Sequence, residues 1–232
     1  HINPVYIVTS YTGTIFGKII KKATDSVYTH SAISFEPTLT RIYSYGNSGN
    51  MSNSKLGGMT CESIKDYIKT NKDAKILVSV VFLKDRDYRK LETYFDNYIN
   101  NVKNTTYDYS NLINILKNKA LPNDHSLSSV CSQFVDSLFK WIGADITDKP
   151  SNLVTPQDIA DIRHPRVYKL YEGLAIKYNS VYVSILVDKL QKYNGMPIKE
   201  AFNNNFTVLN IASNRKKAAE YLKTRNSTYT KY

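Results

Sequence analysis

Residues 74–83 constrain the fold most, because they are apolar at nearly every position. A short apolar run without helical spacing predicts a buried strand. The residues that follow place apolar side chains such as Leu91 and Phe95 at helical spacing, which predicts a long helix with one buried stripe. With 232 residues, of which 42% are hydrophobic, the chain can bury a full core, and we expect one domain with an extension.

A second helix is predicted around Cys131. Ser128 or Ser129 is a suitable N-cap, and Gly143 follows as a C-terminal stop. Cys131 then lies in the first helical turn, where backbone N–H groups and the helix dipole favour a thiolate. The competing interpretation is a small, inert residue packed in a core helix. The apolar residues recur at helical spacing: Val130, Phe134, Val135, Leu138, Phe139, Trp141 and Ile142.

Residues 28–35 alternate in a way that predicts a strand carrying His30. A histidine on a strand is a rigidly held base that can take a proton from a thiol. The sequence contains only two cysteines, Cys61 and Cys131, and Cys131 is the one at a predicted helix start. The two residues His30 and Cys131 are therefore the candidate base and nucleophile.

Three segments carry a resemblance to a known family. They read Tyr-Thr-His-Ser-Ala-Ile-Ser-Phe-Glu (28–36), Arg-Ile-Tyr-Ser-Tyr-Gly (41–46) and Val-Cys-Ser-Gln-Phe-Val (130–135). With the histidine strand first and the cysteine helix last, this order resembles the circularly permuted papain-like (NlpC-type, YiiX-like) cysteine amidases and peptidases of bacteria and phages. Proteins similar to lecithin retinol acyltransferase are more distant relatives of that family. The resemblance covers roughly residues 5–163.

The resemblance implies an α+β fold, in which an antiparallel sheet packs against helices, the nucleophile lies at a helix N-terminus and a helical extension follows. It implies that Cys131 is the nucleophile and His30 the general base and later the acid, with a ring nitrogen within roughly 4 Å of the sulfur. The orienting third residue stays open between Ser44, at the family's position on the next strand, and Glu36, which would share a strand face with His30. The backbone N–H of Cys131 or Ser132 is the expected oxyanion donor.

No metal or nucleotide cofactor is predicted. The sequence contains no Cys-x-x-Cys, no His-Glu-x-x-His and no glycine-rich phosphate loop. His125 in a polar segment and His164 before a proline fit solvated or structural positions better than catalytic ones. Cys61 is interpreted as a free thiol, and no role is assigned to His1.

The cysteine count and the hydropathy pattern suggest a compartment. Two cysteines argue against a disulfide-built secreted scaffold. The chain has no apolar run of about eighteen residues and no signal-peptide pattern, so we expect no membrane span. We expect a soluble protein, cytoplasmic or associated with a phage particle.

The net charge of +11 is concentrated towards the end of the chain. Residues 1–162 carry 18 Lys and Arg against 16 Asp and Glu, whereas residues 163–232 carry 13 against 4. The resemblance is complete near residue 163, which implies a permuted papain-like, catalytic-type domain over residues 1–163. The charge balance predicts a basic, mainly helical extension over residues 164–232. The extension could bind an anionic polymer or a protein partner. Deletion from about Tyr178 onward is expected to leave the core folded.

Two function classes follow from these features. The first is a thiol hydrolase that acts on a peptide, isopeptide, cell-wall peptide or other amide or ester bond and uses Cys131 with His30. The second is a non-catalytic papain-like module with a binding or structural role, for example a component of a phage virion. The intact histidine and cysteine favour the enzyme, and the large extension favours the module.

Overall fold

The computed structural model describes residues 2–13, 27–46, 58–101 and 128–192. Its strands are β1 (Ile2–Tyr11), β2 (His30–Ser34), β3 (Ile42–Gly46), β4 (Gly58–Glu62), β5 (Lys75–Lys84) and β6 (Val167–Leu174). Its α-helices are α1 (Ile64–Thr70), α2 (Asp85–Asn101), α3 (Ser128–Trp141), α4 (Pro156–Ala160) and α5 (Ser180–Lys192). Short 3-10 turns occur at Ser151–Leu153 and Ala175–Lys177.

The six strands form one sheet in the order β4-β3-β2-β1-β5-β6, and every neighbouring pair is antiparallel. β1 and β5 pair along their whole length, from Ile2 opposite Lys84 to Tyr11 opposite Lys75. β5 is the buried strand that the apolar run predicts, and α2 is the helix predicted after it. The fold is therefore α+β, with an antiparallel sheet and helices, as the sequence predicts at this level.

Both faces of the sheet are buried, and alternate residues of each strand serve one face or the other. Val5, Ile7 and Ile33 face the first core, which also holds Leu91 of α2 and Phe134 of α3. The second core lies on the opposite face and packs the sheet against α1 and α5, with Tyr6, Val8, Ala32, Ile42, Tyr67 and Leu186 among its members. Because both faces of the sheet are covered by other elements, β5 is apolar at consecutive positions.

The sheet and its second core extend past the boundary predicted at residue 163. β6 is hydrogen-bonded to β5, and the buried side chains of α5 belong to the second core. The hydroxyl of Tyr178 donates to the carbonyl of Pro37 at 2.6 Å, which ties the start of α5 to the turn after β2. Residues 167–192 are therefore part of the same core, and the remainder of the predicted extension, 193–232, lies outside the described residues.

Candidate active site

Helix α3 places Cys131 against one face of the sheet. The helix begins at Ser128, so Ser128 and Ser129 are helical residues rather than the predicted N-cap, and Cys131 is the fourth residue of the helix. The chain leaves the helix at Gly143, whose φ of +75° is the left-handed conformation that glycine adopts easily, as predicted for a helix stop. The side chain of Cys131 is buried, with 1% of its surface exposed.

The sulfur of Cys131 lies against β2. The backbone N–H of Ser31 donates to Sγ, and the N–H groups of Ser132 and Cys131 also lower the pKa of the thiol. Burial acts in the opposite direction and is larger, so that the pKa of Cys131 is raised to about 11. The expectation that the helix start favours a thiolate is therefore wrong for the free protein. The cost of burying an anion exceeds the stabilisation by the N–H groups, and the group is a neutral thiol at neutral pH.

His30 is the first residue of β2 and lies opposite Ser10 of β1. Its ring keeps 28% of its side-chain surface exposed, but the Nε2 atom is buried and lies 3.7 Å from Oε2 of Glu62. Burial lowers the pKa of His30 to about 4, and the cost of burial raises the pKa of Glu62 above its usual value. The imidazole is therefore neutral at neutral pH.

Cys131 lies close to the start of β2, the strand that begins with His30. The residue that donates to Sγ, Ser31, directly follows His30 in the chain. In the described part of the sheet β2 and β3 are paired at Ile33 and Tyr43 only, and we call the unpaired stretch between this pair and His30 the opening. Strand alternation places Ser31 on the face of the first core and His30 on the face of the second. The sulfur thus approaches the opening from one face of the sheet and the imidazole from the other.

Two unpartnered buried polar atoms lie on consecutive residues beside this opening. In the described parts of the chain, these are Nε2 of His30 and Oγ of Ser31, which have no hydrogen-bond partner. The hydroxyl of Tyr67 is hydrogen-bonded to the hydroxyl of Ser10 and to the carboxylate of Glu62, and burial raises the pKa of Tyr67 well above its usual value. A buried polar group without a partner costs about 1–3 kcal/mol. Such groups persist in native proteins mainly where they serve a site.

The predicted third residues lie in different places. Ser44 is buried in β3 opposite Thr60 of β4. Glu36 does not continue the strand face of His30, because β2 ends at Ser34. Its carboxylate instead accepts a hydrogen bond from the hydroxyl of Thr40 and lies 3.6 Å from Nε of Arg41. The carboxylate beside the imidazole is that of Glu62.

The family motif does not point to Glu62, although the sequence contains a signal for its position. Ser63 caps α1 through a capping box with Asp66, and the Ser63 N–H donates to Oδ2 of Asp66 at 2.7 Å. A Ser-x-x-Asp pattern ahead of an apolar helix marks the helix start. This pattern therefore places Glu62 just before the helix, as the last residue of β4. Glu62 lies on the face of the second core, the same face as its strand partner Ile42.

The other residues that the sequence analysis considered are peripheral. The half-buried Cys61 lies in β4 and packs on the first core. Nδ1 of His164 accepts from the N–H of Arg166 at 3.3 Å within a local turn. His1 and His125 lie outside the described residues. The side chains that the structure describes form no group of three or more His, Cys, Asp or Glu able to hold a metal ion.

The burial of His30 predicts a pH-dependent stability. Unfolded His30 takes a proton near its ordinary pKa of 6.5, whereas folded His30 does so only near 4, so this contribution to stability is present above pH 6.5 and is lost as the pH falls towards 4. We expect a loss of about 2–3 kcal/mol in the free energy of unfolding. Glu62 acts in the opposite direction, so the informative quantity is the difference between wild type and His30→Asn.

Urea unfolding at about pH 7 and about pH 4.5 measures this difference. Wild type should lose more stability on acidification than His30→Asn, while His164→Asn should behave as wild type. An equal loss in wild type and His30→Asn would mean that His30 is not buried as a neutral ring.

Comparison with known proteins does not assign this site. No family model matches the chain, and no curated protein matches its sequence. Among the described residues, no helix has both the length and the hydropathy needed to cross a membrane.

Proposed function

We propose that this chain is a thiol hydrolase with a permuted papain-like core that cleaves an amide or peptide bond through Cys131 and His30. The observation that carries the proposal is the pair of unpartnered buried polar atoms at the opening, Nε2 of His30 and Oγ of Ser31, beside a buried thiol. The hydrogen-bonding groups of an amide substrate would supply the partners that these atoms lack. The sulfur is already held against the residue next to His30 by the Ser31 N–H.

The neutral states of both groups determine the order of proton transfers. His30 takes the proton of Cys131 as Sγ forms a bond to the substrate carbonyl carbon. The C–N bond then breaks, and the imidazolium gives its proton to the departing amine. In the second half, His30 takes a proton from water as the water oxygen attacks the thioester. The C–S bond breaks and the thiol regains its proton.

Glu62 and Tyr67 complete the proposed site. The Glu62 carboxylate, 3.7 Å from Nε2, would orient the ring and stabilise the imidazolium, as a carboxylate does in other hydrolytic triads. Burial raises the pKa of Tyr67 well above its usual value, so its hydroxyl stays protonated. It can therefore donate to the Glu62 carboxylate, and the N–H of Cys131 or Ser132 is the proposed oxyanion donor. We propose Glu62 in place of Ser44 or Glu36 as the orienting residue.

The mechanism has one geometric requirement. Because His30 and Ser31 project to opposite faces, the imidazole must reach Sγ through the opening between β2 and β3. We propose that substrate binding brings a ring nitrogen within roughly 4 Å of the sulfur, the range needed for proton transfer.

A non-catalytic papain-like module, such as a phage virion component, is the second candidate. It is favoured by the burial of Cys131 and by its pKa of about 11, since inert structural cysteines share both properties. In this case the polar atoms around the opening would bind a ligand without reaction.

The substrate class remains broad within the proposal. Cell-wall stem peptides, peptide or isopeptide bonds and lipid amides or esters all present the required carbonyl group. Residues 163–232, with 13 Lys and Arg against 4 Asp and Glu, would add affinity for an anionic polymer or an acidic protein partner.

Amide hydrolysis tests the proposal directly. The full chain is incubated with purified bacterial cell walls and with a peptide library, and newly formed amine ends are quantified. We expect release by wild type and by Cys61→Ser, and none by Cys131→Ser. Release that persists in Cys131→Ser, or no release from either substrate set, would contradict the enzyme and favour the non-catalytic module.

A further inference from the structure

A chain of hydrogen bonds connects α3, the helix that carries Cys131, to the start of β2, the strand that carries His30. It starts with the two residues that follow Cys131: Ser132 Oγ donates to the carbonyl of Val154 at 2.6 Å, and Gln133 Nε2 donates to the carbonyl of Asn152 at 3.1 Å. Both donors are buried. The segment that leads into α4 is therefore held on the N-terminal part of α3.

Helix α4 is fixed where this segment ends. Thr155 caps the helix through a capping box with Asp158, whose Oδ1 also accepts from Nζ of Lys149 at 2.6 Å. Pro156 occupies the first helical position, where its ring suits a helix start. The residue that follows it, Gln157, is thus held in a defined position relative to α3.

Gln157 then reaches the segment that enters β2. Its Oε1 accepts from the N–H of Val27 at 2.9 Å and from the N–H of Tyr28 at 3.2 Å. The next N–H, that of Thr29, donates to the carbonyl of Ser10 at 3.0 Å, and His30 follows directly. One side-chain oxygen therefore holds two consecutive N–H groups just before the proposed base.

We propose that Gln157 is a positioning residue that sets where His30 lies relative to Cys131, an inference that rests on the proposed function. Without Oε1, two backbone N–H groups lose their acceptor and the first residues of β2 lose their connection to α4. The imidazole would then leave its buried place beside Glu62 more often. Gln157 itself makes no contact with the reacting atoms.

The test uses the full chain with Cys61→Ser, which leaves Cys131 as the only thiol. The rate of alkylation of Cys131 by iodoacetamide is measured at neutral pH. We expect Gln157→Ala to lower the alkylation rate about fivefold, which is within the range of coupling inside one hydrogen-bond network. In a chain that already carries His30→Ala, Gln157→Ala should not lower the rate further. Gln157→Glu, combined with Asp161→Ala so that two carboxylates do not face each other, should restore most of the rate, because a carboxylate also accepts from both N–H groups. Asp161→Ala removes only the partner of Gln157 Nε2 and should change nothing.

A second readout separates the inference from the proposed function. NMR titration of the His30 ring should show its pKa rising in Gln157→Ala from about 4 towards 6.5, with no change in Asp161→Ala. An unchanged titration of His30 in Gln157→Ala would overturn the positioning role, as would an equal loss of alkylation with and without His30. If His30→Ala alone leaves the alkylation rate unchanged, the proposed function fails, and the titration still decides the role of Gln157.

Discussion

Truncation before Tyr178 should abolish the cooperative unfolding transition of the chain. Helix α5 contributes the buried side chains of Val183, Leu186, Val187 and Leu190 to the second core. Burial of one such side chain contributes about 1.5–3 kcal/mol, so the four together contribute about as much as the whole stability of a typical domain. The truncated chain would also expose one face of the sheet to water.

Circular dichroism during thermal unfolding measures this effect. The matched control is Ile176→Ser in the full chain, because Ile176 lies just before the cut but is exposed, and its transition should be unchanged. The family resemblance, which is complete near residue 163, implies the opposite result, a folded core after truncation. A truncated chain that unfolds at the temperature of the full chain would support that prediction and would contradict the packing of α5.

Replacing His30 by Ala should slow the acylation of Cys131 by about a hundredfold or more, the usual contribution of a positioned general base. The effect should be large here because burial holds the thiol in its neutral form, with a pKa of about 11, so the sulfur depends on a base at neutral pH. The probe is p-nitrophenyl acetate, added to the chain with Cys61→Ser, and the release of nitrophenolate gives the rate.

Two further variants show whether the loss belongs to the proposed site. Glu62→Gln keeps the size of the side chain but not its charge, and should slow acylation about tenfold because the imidazolium loses its counter-ion. His164→Ala should leave the rate unchanged. Equal rates for wild type and His30→Ala would mean that His30 is not the base.

The local elements of this fold could be predicted because local sequence encodes them. The apolar run before α2 forms the predicted strand β5, and the segment around Cys131 forms the predicted helix α3, because burial imposes a recognisable spacing of apolar residues. The partnership of β6 with β5 could not be predicted, because pairing between distant strands leaves no local pattern. The net positive charge of the last residues suggested a separate extension, although charge describes a surface and not a domain boundary.

The sequence could suggest candidate residues for a site but not their electrostatics. His30 and Cys131 are candidates by motif, whereas the protonation state of each depends on burial that only the tertiary structure supplies. The thiol pKa shows this most clearly, because helix position alone suggests a low value and the surrounding core reverses it. Glu62 could not be predicted, because its place beside His30 depends on the pairing of β4 with β3, which leaves no local pattern.

Mass spectrometry of the rapidly quenched reaction with p-nitrophenyl acetate tests the central claim most directly. The claim is that Cys131 is a nucleophile activated by His30. The full chain, with both cysteines present, should carry one acetyl group on Cys131 early in the reaction, lose it as water attacks, and carry none on that residue in the His30→Ala variant over the same time. Acetylation of Cys61 or of lysines alone, or equal acetylation of Cys131 with and without His30, would contradict the claim.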